Sequence, residues 1–154
     1  MGLHVEGPLW GQAVVCEPIL RSLPQWFGVE EAVVQYVHDI EDLPTFLAAD
    51  DGRTIGFLTL KEHFPEAAEV HVMGIRPEYH RRGLGRALVG RAEEWLRSRG
   101  GEYLQVKTLS PARPSEEYAR TRAFYRALGF RPLEEFPLLW DPAYPCLLLV
   151  KALR

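Results

Sequence analysis

Apolar positions follow two rhythms that alternate along the chain. Val15, Ile19 and Leu20 recur at helical spacing within Gln12–Leu23, interrupted by Pro18, before Pro24 and Gly28 break the pattern. Val29–Ile40 repeats that spacing with Val29, Val33, Tyr36, Val37 and Ile40. The period then shortens. Thr45–Ala49 and Thr54–Lys61 flank Asp50-Asp51-Gly52-Arg53, which reads as a β-hairpin with an Asp-Gly turn, and Glu69–Ile75 is a third strand. Leu84, Leu88, Ala92, Trp95 and Leu96 form the apolar stripe of a helix over Leu84–Arg99, ended by Gly100 and Gly101. A strand over Tyr103–Leu109, a proline-containing loop and a helix over Glu116–Leu128 closed by Gly129 follow. Phe130–Glu134 and Leu147–Leu153 are the last strands, and Leu3–Glu6 is a short first one. This order predicts an α+β (α/β layered) fold with a central mixed β-sheet and helices on both faces. Without repeats, low-complexity tracts or linkers, residues 1–154 read as a single domain.

Charge and cysteine usage narrow the classes. A net charge of −3 argues against general nucleic-acid binding, which needs a basic surface. Arg76, Arg81, Arg82 and Arg86 nevertheless cluster, and such a cluster in an acidic chain suits a small anionic ligand. Two cysteines, Cys16 and Cys146, are too few for a disulfide scaffold. The five histidines (4, 38, 63, 71 and 80) and the cysteines show no metal-ligand spacing. No apolar run is long enough to span a membrane, and the N-terminus lacks the features of a secretory signal, so the expected location is the cytoplasm. The lack of asparagine and the 12 prolines fit a heat-adapted source, as they fit high-GC coding. The oligomeric state is open, a homodimer included.

The candidate chemistry starts at Val70-His71-Val72-Met73-Gly74-Ile75-Arg76-Pro77-Glu78-Tyr79-His80-Arg81-Arg82-Gly83-Leu84-Gly85-Arg86. It reads as a strand, a proline turn, a basic glycine-bearing loop and a helix start. Unpaired N–H groups and the positive end of a helix dipole meet there, and a phosphate or pyrophosphate is the natural occupant. Gly83 and Gly85 let backbone approach an anion closely. The string is neither a P-loop nor a Gly-x-Gly-x-x-Gly fingerprint, whose third glycine would fall at Leu88.

The His80-Arg81-Arg82-Gly83-Leu84-Gly85 loop after Ile75-Arg76-Pro77 resembles the acyl-CoA-binding signature of the GNAT superfamily of N-acetyltransferases, Gln/Arg-x-x-Gly-x-Gly/Ala, with His80 departing from the usual first residue. Arg122-Ala123-Phe124-Tyr125-Arg126-Ala127-Leu128-Gly129-Phe130 is similar to that family's later motif, and the element order matches along nearly the whole chain. The resemblance implies acetyl-CoA as cofactor. Main-chain groups of Met73, Gly74 and Ile75 would meet the pantetheine arm, and His80, Arg81, Arg82, Gly83, Leu84, Gly85 and Arg86 the phosphates. Tyr125 would lie at the sulfur and protonate the leaving thiolate. It implies direct attack by a primary amine in a ternary complex. Tyr118 stands where the family often has Asn, and is expected on the acceptor side.

The base that neutralises the amine is open between Glu69, six residues before Ile75, where the resemblance implies a glutamate, and His71, whose side chain type suits neutral pH, with water alone, His63 and Glu62 as lesser alternatives. Strand alternation places Glu69, His71 and Met73 on one face up to any bulge. A covalent acetyl-cysteine on Cys146 is the weaker alternative to a small buried hydrophobe. The expected acceptor is a small-molecule or peptide amine. Its site would be walled by Trp26, Phe27, Tyr36, Phe64, Phe136, Trp140 and Tyr144, with Glu30, Glu31, Asp39, Glu134, Glu135 and Asp141 as accompanying carboxylates. The competing reading is a catalytically silent acyl-CoA-binding sensor or interaction domain.

Overall fold

A computed structural model describes residues 2–154. The elements run β1 (Leu3–Leu9), α1 (Ala13–Arg21), α2 (Glu30–Glu41), β2 (Thr45–Asp50), β3 (Arg53–Phe64), β4 (Ala67–Ile75), α3 (Leu84–Ser98), β5 (Tyr103–Leu109), α4 (Glu116–Ala127), β6 (Arg131–Asp141) and β7 (Tyr144–Ala152), with a 3₁₀ turn at Pro77–Tyr79. The seven strands form one sheet in the order β1-β2-β3-β4-β5-β7-β6, antiparallel except between β4 and β5. The expected mixed sheet and element order are thus present.

Helices cover both faces. Leu84, Leu88, Val89, Ala92 and Leu96 of α3 and Tyr125 of α4 pack with Leu58, Leu60, Val70, Leu104 and Val106. Cys16, Ile19 and Leu20 of α1 and Val33 and Ile40 of α2 pack on the other face with Leu47, Phe57 and Val72. The β2–β3 hairpin turns on Asp51 and Gly52, both at positive φ (50° and 84°), as a two-residue primed turn requires. Ser115 caps α4, its Oγ accepting the Tyr118 N–H at 3.2 Å.

Two expectations about elements need correction. Pro18 does not interrupt α1, which runs through it. Proline forfeits only the bond to the Val14 carbonyl, and Val14 is exposed. The penultimate strand does not stop at Glu134 but reaches Asp141. Pro132 and Pro137 disguise it, yet β6 is the outer strand of the sheet, where a missing N–H costs no ladder bond.

Two irregularities in β4 shape the site. Thr59 pairs with Val72 but the next residue, Leu60, pairs with Val70, so His71 is the extra residue of a β-bulge. In consequence Val70 lies in the α3–α4 core and Val72 in the α1–α2 core, although they are two residues apart. Alternation therefore fails at this point: His71 remains on the α2 side with Glu69, whereas Met73 packs on the α3–α4 side. Secondly, β4 and β5 pair only from Ala67↔Tyr103 to Val70↔Val106, and beyond that the strands part.

Candidate active site

The parting of β4 and β5 opens a cleft of about 1850 Å³ that continues to the start of α3. Its walls are the end of β4, the loop before α3, the end of β5, one face of α4 and the α1–α2 connection. Met73, Gly74 and Ile75 line it, as do His80, Arg81, Gly83, Leu84, Gly85, Arg86, His71 and Tyr125. The structure therefore gathers nearly all the residues singled out in the sequence. Of the expected cofactor-binding and catalytic residues, Arg82 and Glu69 are the two that are not on its walls. The Arg82 guanidinium instead lies over the Tyr79 ring, 5.0 Å from its centroid.

At the loop, Arg81 (φ 64°) and Gly83 (φ 78°) are left-handed, and α3 starts at Leu84 without a side-chain cap. The Ala87 N–H is the first to find a helical acceptor, the Gly83 carbonyl at 3.1 Å. Among the described residues, none of the six consecutive N–H groups from Arg81 to Arg86 has a protein acceptor. Left-handed residues followed by a helix start turn such donors toward one point, which is what a phosphate oxygen needs. Leu84 is 5% exposed, so only its backbone can contribute. His80 contributes differently again. Its Nε2 donates to the Ile75 carbonyl at 2.7 Å, tying the loop back to the strand it leaves.

The two glycines do unlike jobs. Gly83 has open space where a side chain would stand, and its positive φ is what calls for glycine. Gly85 is the reverse. A Cβ there would lie 2.8 Å from Cζ of Phe124, so this glycine lets α3 approach α4.

On the α4 wall, Tyr125 is 4% exposed, its ring wedged edge-on against Phe124 and Phe130 at 5.1 and 5.3 Å. Its hydroxyl has no hydrogen-bond partner among the described residues, and burial pushes the phenol well above its ordinary value. The group is therefore a neutral O–H donor at neutral pH. Thr108, on β5 beyond the point of parting, also lines the cleft, and its buried hydroxyl has no partner. Orphaned polar atoms of this kind, with the six free N–H groups, fit an extended ligand carrying amides at one end and phosphate at the other.

Across β4 lies a polar cluster on the α2 side. Oε1 of Glu69 accepts from His63 Nε2 (2.7 Å), Gln105 Nε2 (3.1 Å) and Lys107 Nζ (3.3 Å). Burial raises its pKa, but these donors outweigh that and hold the carboxyl below its ordinary value. His71 Nε2 donates to Asp39 Oδ2 at 2.9 Å, and Gln35 donates to the other oxygen at 2.8 Å. Burial opposes the Asp39 charge, and the bonds from Gln35 and His71 prevail, lowering its pKa. Cys146 lies inside, wholly buried, its thiol pushed up to about 11 by burial, which is the behaviour of a small hydrophobe and not of a nucleophile.

Sequence reasoning missed the Trp26 strap. Trp26 Nε1 donates to Thr121 Oγ1 (3.0 Å), Tyr118 donates to the Trp26 carbonyl (3.0 Å), and the indole stands edge-on to His80 at 6.0 Å. The α1–α2 connection is thus tied to α4 across the cleft. Burial, then Tyr36 and Tyr144, push the Tyr118 phenol up to about 12. Of the expected acceptor walls, Trp26, Phe27, Tyr36, Trp140 and Tyr144 line the cleft with Glu31 and Asp141, whereas Phe64, Phe136, Glu30, Asp39, Glu134 and Glu135 do not. Glu30 is occupied by Arg21 at 2.8 Å on the outside of the molecule. Among the described residues, no helix is long and apolar enough to cross a membrane.

Comparison with known proteins gives the family of a chain with this fold. The model of the Acetyltransferase (GNAT) family matches residues 17–130, and the chain belongs to that family of acetyl-CoA-using N-acetyltransferases. It is 37% identical over 114 residues to a mycothiol acetyltransferase of Beutenbergia cavernae, a match covering 74% of this chain and 33% of that protein. The chain spans about a third of the length of the curated relatives it matches first. Its fold is similar to that of the ribosomal-protein-S18-alanine N-acetyltransferase of Escherichia coli (TM-score 0.76, 17% identity, covering 98% of this chain and 94% of that one). It is equally similar to an aminoglycoside 6′-N-acetyltransferase complexed with coenzyme A (TM-score 0.76, 16% identity, 98% and 97% covered).

Proposed function

We propose that residues 1–154 form a single acetyltransferase domain that transfers an acetyl group from acetyl-CoA to a primary amine by direct attack in a ternary complex. The observation that carries this reading is the run of six unpartnered N–H groups at the mouth of the parted sheet. In this reading the N–H groups of Arg81–Arg86 hold the pyrophosphate, with Arg81 and Arg86 adding charge. The main chain of Met73, Gly74 and Ile75 holds the extended arm. When bound, acetyl-CoA supplies an activated thioester whose sulfur leaves as the amine attacks.

The chain's own residues handle the protons. A base on the α2 side of β4 takes one proton from the ammonium form of the acceptor. Tyr125 gives its phenolic proton to the departing sulfur and is reprotonated from solvent, while one of the two N–H protons of the attacking nitrogen leaves to water and the other stays on the amide formed. A backbone N–H of β4 aimed at the thioester oxygen would stabilise its developing charge, typically by about 3–4 kcal/mol.

The acceptor wall combines Phe27, Tyr36, Trp140 and Tyr144 with Glu31 and Asp141. Aromatic faces and carboxylates suit a cation with an apolar body. Relatives and fold neighbours carry names as different as mycothiol acetyltransferase, aminoglycoside 6′-N-acetyltransferase and ribosomal-protein-S18-alanine N-acetyltransferase, so the domain architecture alone does not select an acceptor. A cytoplasmic setting, where acetyl-CoA is available, goes with this reading.

Calorimetry with acetyl-CoA, followed by an amine panel read by free-thiol release, tests the proposal. Binding with amine-dependent thiol release is expected. No binding at millimolar acetyl-CoA would overturn it, and binding without release to any amine would favour a silent sensor domain.

A further inference from the structure

Glu69 and His71 both stand on the α2 side of β4, and the structure distinguishes them. Glu69 is 6% exposed and is not on the cleft wall, and three donors converge on its Oε1. It is built as a fixed charge. His71 lines the cleft, and as the extra residue of the bulge it keeps its side chain on the α2 side one residue before β4 changes phase. Bulges re-aim side chains in this way.

We propose that His71 is the base of the acetyl transfer and that Asp39, 32 residues away on α2, is the positioning residue that makes it one; this rests on the function proposed above. A carboxylate at neutral pH only accepts hydrogen bonds, so the 2.9 Å contact puts the proton of the neutral imidazole on Nε2. The lone pair is then on Nδ1, which has no protein partner among the described residues. Tyr36 meets the ring edge-on at 5.5 Å and fixes its plane, and Gln35 fixes the Asp39 carboxylate from its other oxygen. The imidazole is held in tautomer and orientation by three residues of one helix. Nδ1 takes a proton from the acceptor ammonium, and the carboxylate stabilises the imidazolium that results. The proton then passes to solvent from Nδ1, which restores the starting tautomer.

Two measurements test this. Nitrogen-15 NMR of the wild-type protein without ligands reads the tautomer directly, and His71 is expected to carry its proton on Nε2 at a pH where the ring is neutral. A proton on Nδ1 overturns the proposal, whatever the enzyme is found to acetylate. Kinetics supply the second measurement. Asp39→Asn is nearly isosteric, and is expected to lower kcat by roughly 10- to 100-fold, with both KM values within about twofold and Asp39→Glu partly restoring the rate. An unchanged kcat in Asp39→Asn, or in His71→Gln, overturns it. Failure of acetyl-CoA binding would remove the proposed function but leave the NMR result to decide the dyad.

Discussion

The contact between α3 and α4 at Gly85 makes a quantitative prediction. In Gly85→Ala the new methyl carbon would stand 2.8 Å from Cζ and 2.9 Å from Cε1 of Phe124, against an ordinary carbon–carbon contact of about 3.5 Å. Some 0.7 Å must be found. The Phe124 ring cannot yield freely, because it is packed 5.1 Å from the ring of the buried Tyr125. Overpacking of this kind costs about 1–3 kcal/mol. For a chain of this size each kcal/mol lowers Tm by roughly 2–4 °C, so a fall of roughly 2–12 °C is expected. Moving the start of α3 also misplaces the Gly85 N–H. A hydrogen bond to a charged group is worth about 1.5–3 kcal/mol, so acetyl-CoA affinity should weaken roughly tenfold to a hundredfold. Thermal unfolding and calorimetry of Gly85→Ala, Phe124→Leu and the double variant complete a cycle. In the Phe124→Leu background the added methyl should cost under about 0.5 kcal/mol, giving a coupling above about 0.5 kcal/mol. A Gly85→Ala protein with unchanged Tm and affinity would refute the packing account. Destabilisation that persists undiminished in the Phe124→Leu background would do the same.

Other substitutions probe the remaining parts of the cleft. Tyr125→Phe is expected to lower kcat by about 100-fold or more while leaving acetyl-CoA affinity within a factor of about two, as stopped thiol-release assays and calorimetry would show; a changed affinity with unchanged kcat would remove the acid role. Thr108→Val deletes a buried hydroxyl that has no protein partner, so Tm of the ligand-free protein should hold or rise, while the Tm increase on adding acetyl-CoA should shrink. Glu69 has its carboxyl lowered from 4.5 in the folded state, so its stabilisation is complete above about pH 4.5 and is lost as the pH falls through the folded value. Melting curves of Glu69→Gln should accordingly show a flatter decline in Tm below pH 4.5 than wild type, and parallel curves would show that the three donors do not stabilise the charge.

What could be read from the chain depended on whether its cause was local. Helices α2, α3 and α4 and the strands β2 to β5 follow from side-chain periodicity, and the turn at Asp51-Gly52 from its need for positive φ. The phosphate loop was legible for the same reason, since left-handed Gly83 and an uncapped helix start are properties of consecutive residues. The bulge at His71 was not, because an extra residue shows only against the partner strand, and its effect was to separate Met73 from Glu69 and His71. Nor was the pairing of His71 with Asp39 or of Trp26 with Thr121, which join residues 32 and 95 positions apart. The full length of β6 was hidden by prolines that only an outer strand can accept.

The short β4–β5 ladder has a consequence beyond the shape of the cleft. A sheet normally keeps its open edges at the rim, where charge, proline and short strands guard them against stray pairing. β6 carries such guards in Pro132, Pro137, Glu134 and Glu135. Past Val70 and Val106, however, this sheet has two further edges in its interior, facing each other, and the β5 edge offers Lys107, Thr108 and Leu109 before the chain turns away at Ser110-Pro111. Such a gap is a template for any extended chain, including another copy of the molecule. The Trp26 strap, tied to Thr121 and Tyr118, lies across the way in. The contacts that fence the cleft therefore also protect the molecule from aggregating through its own middle.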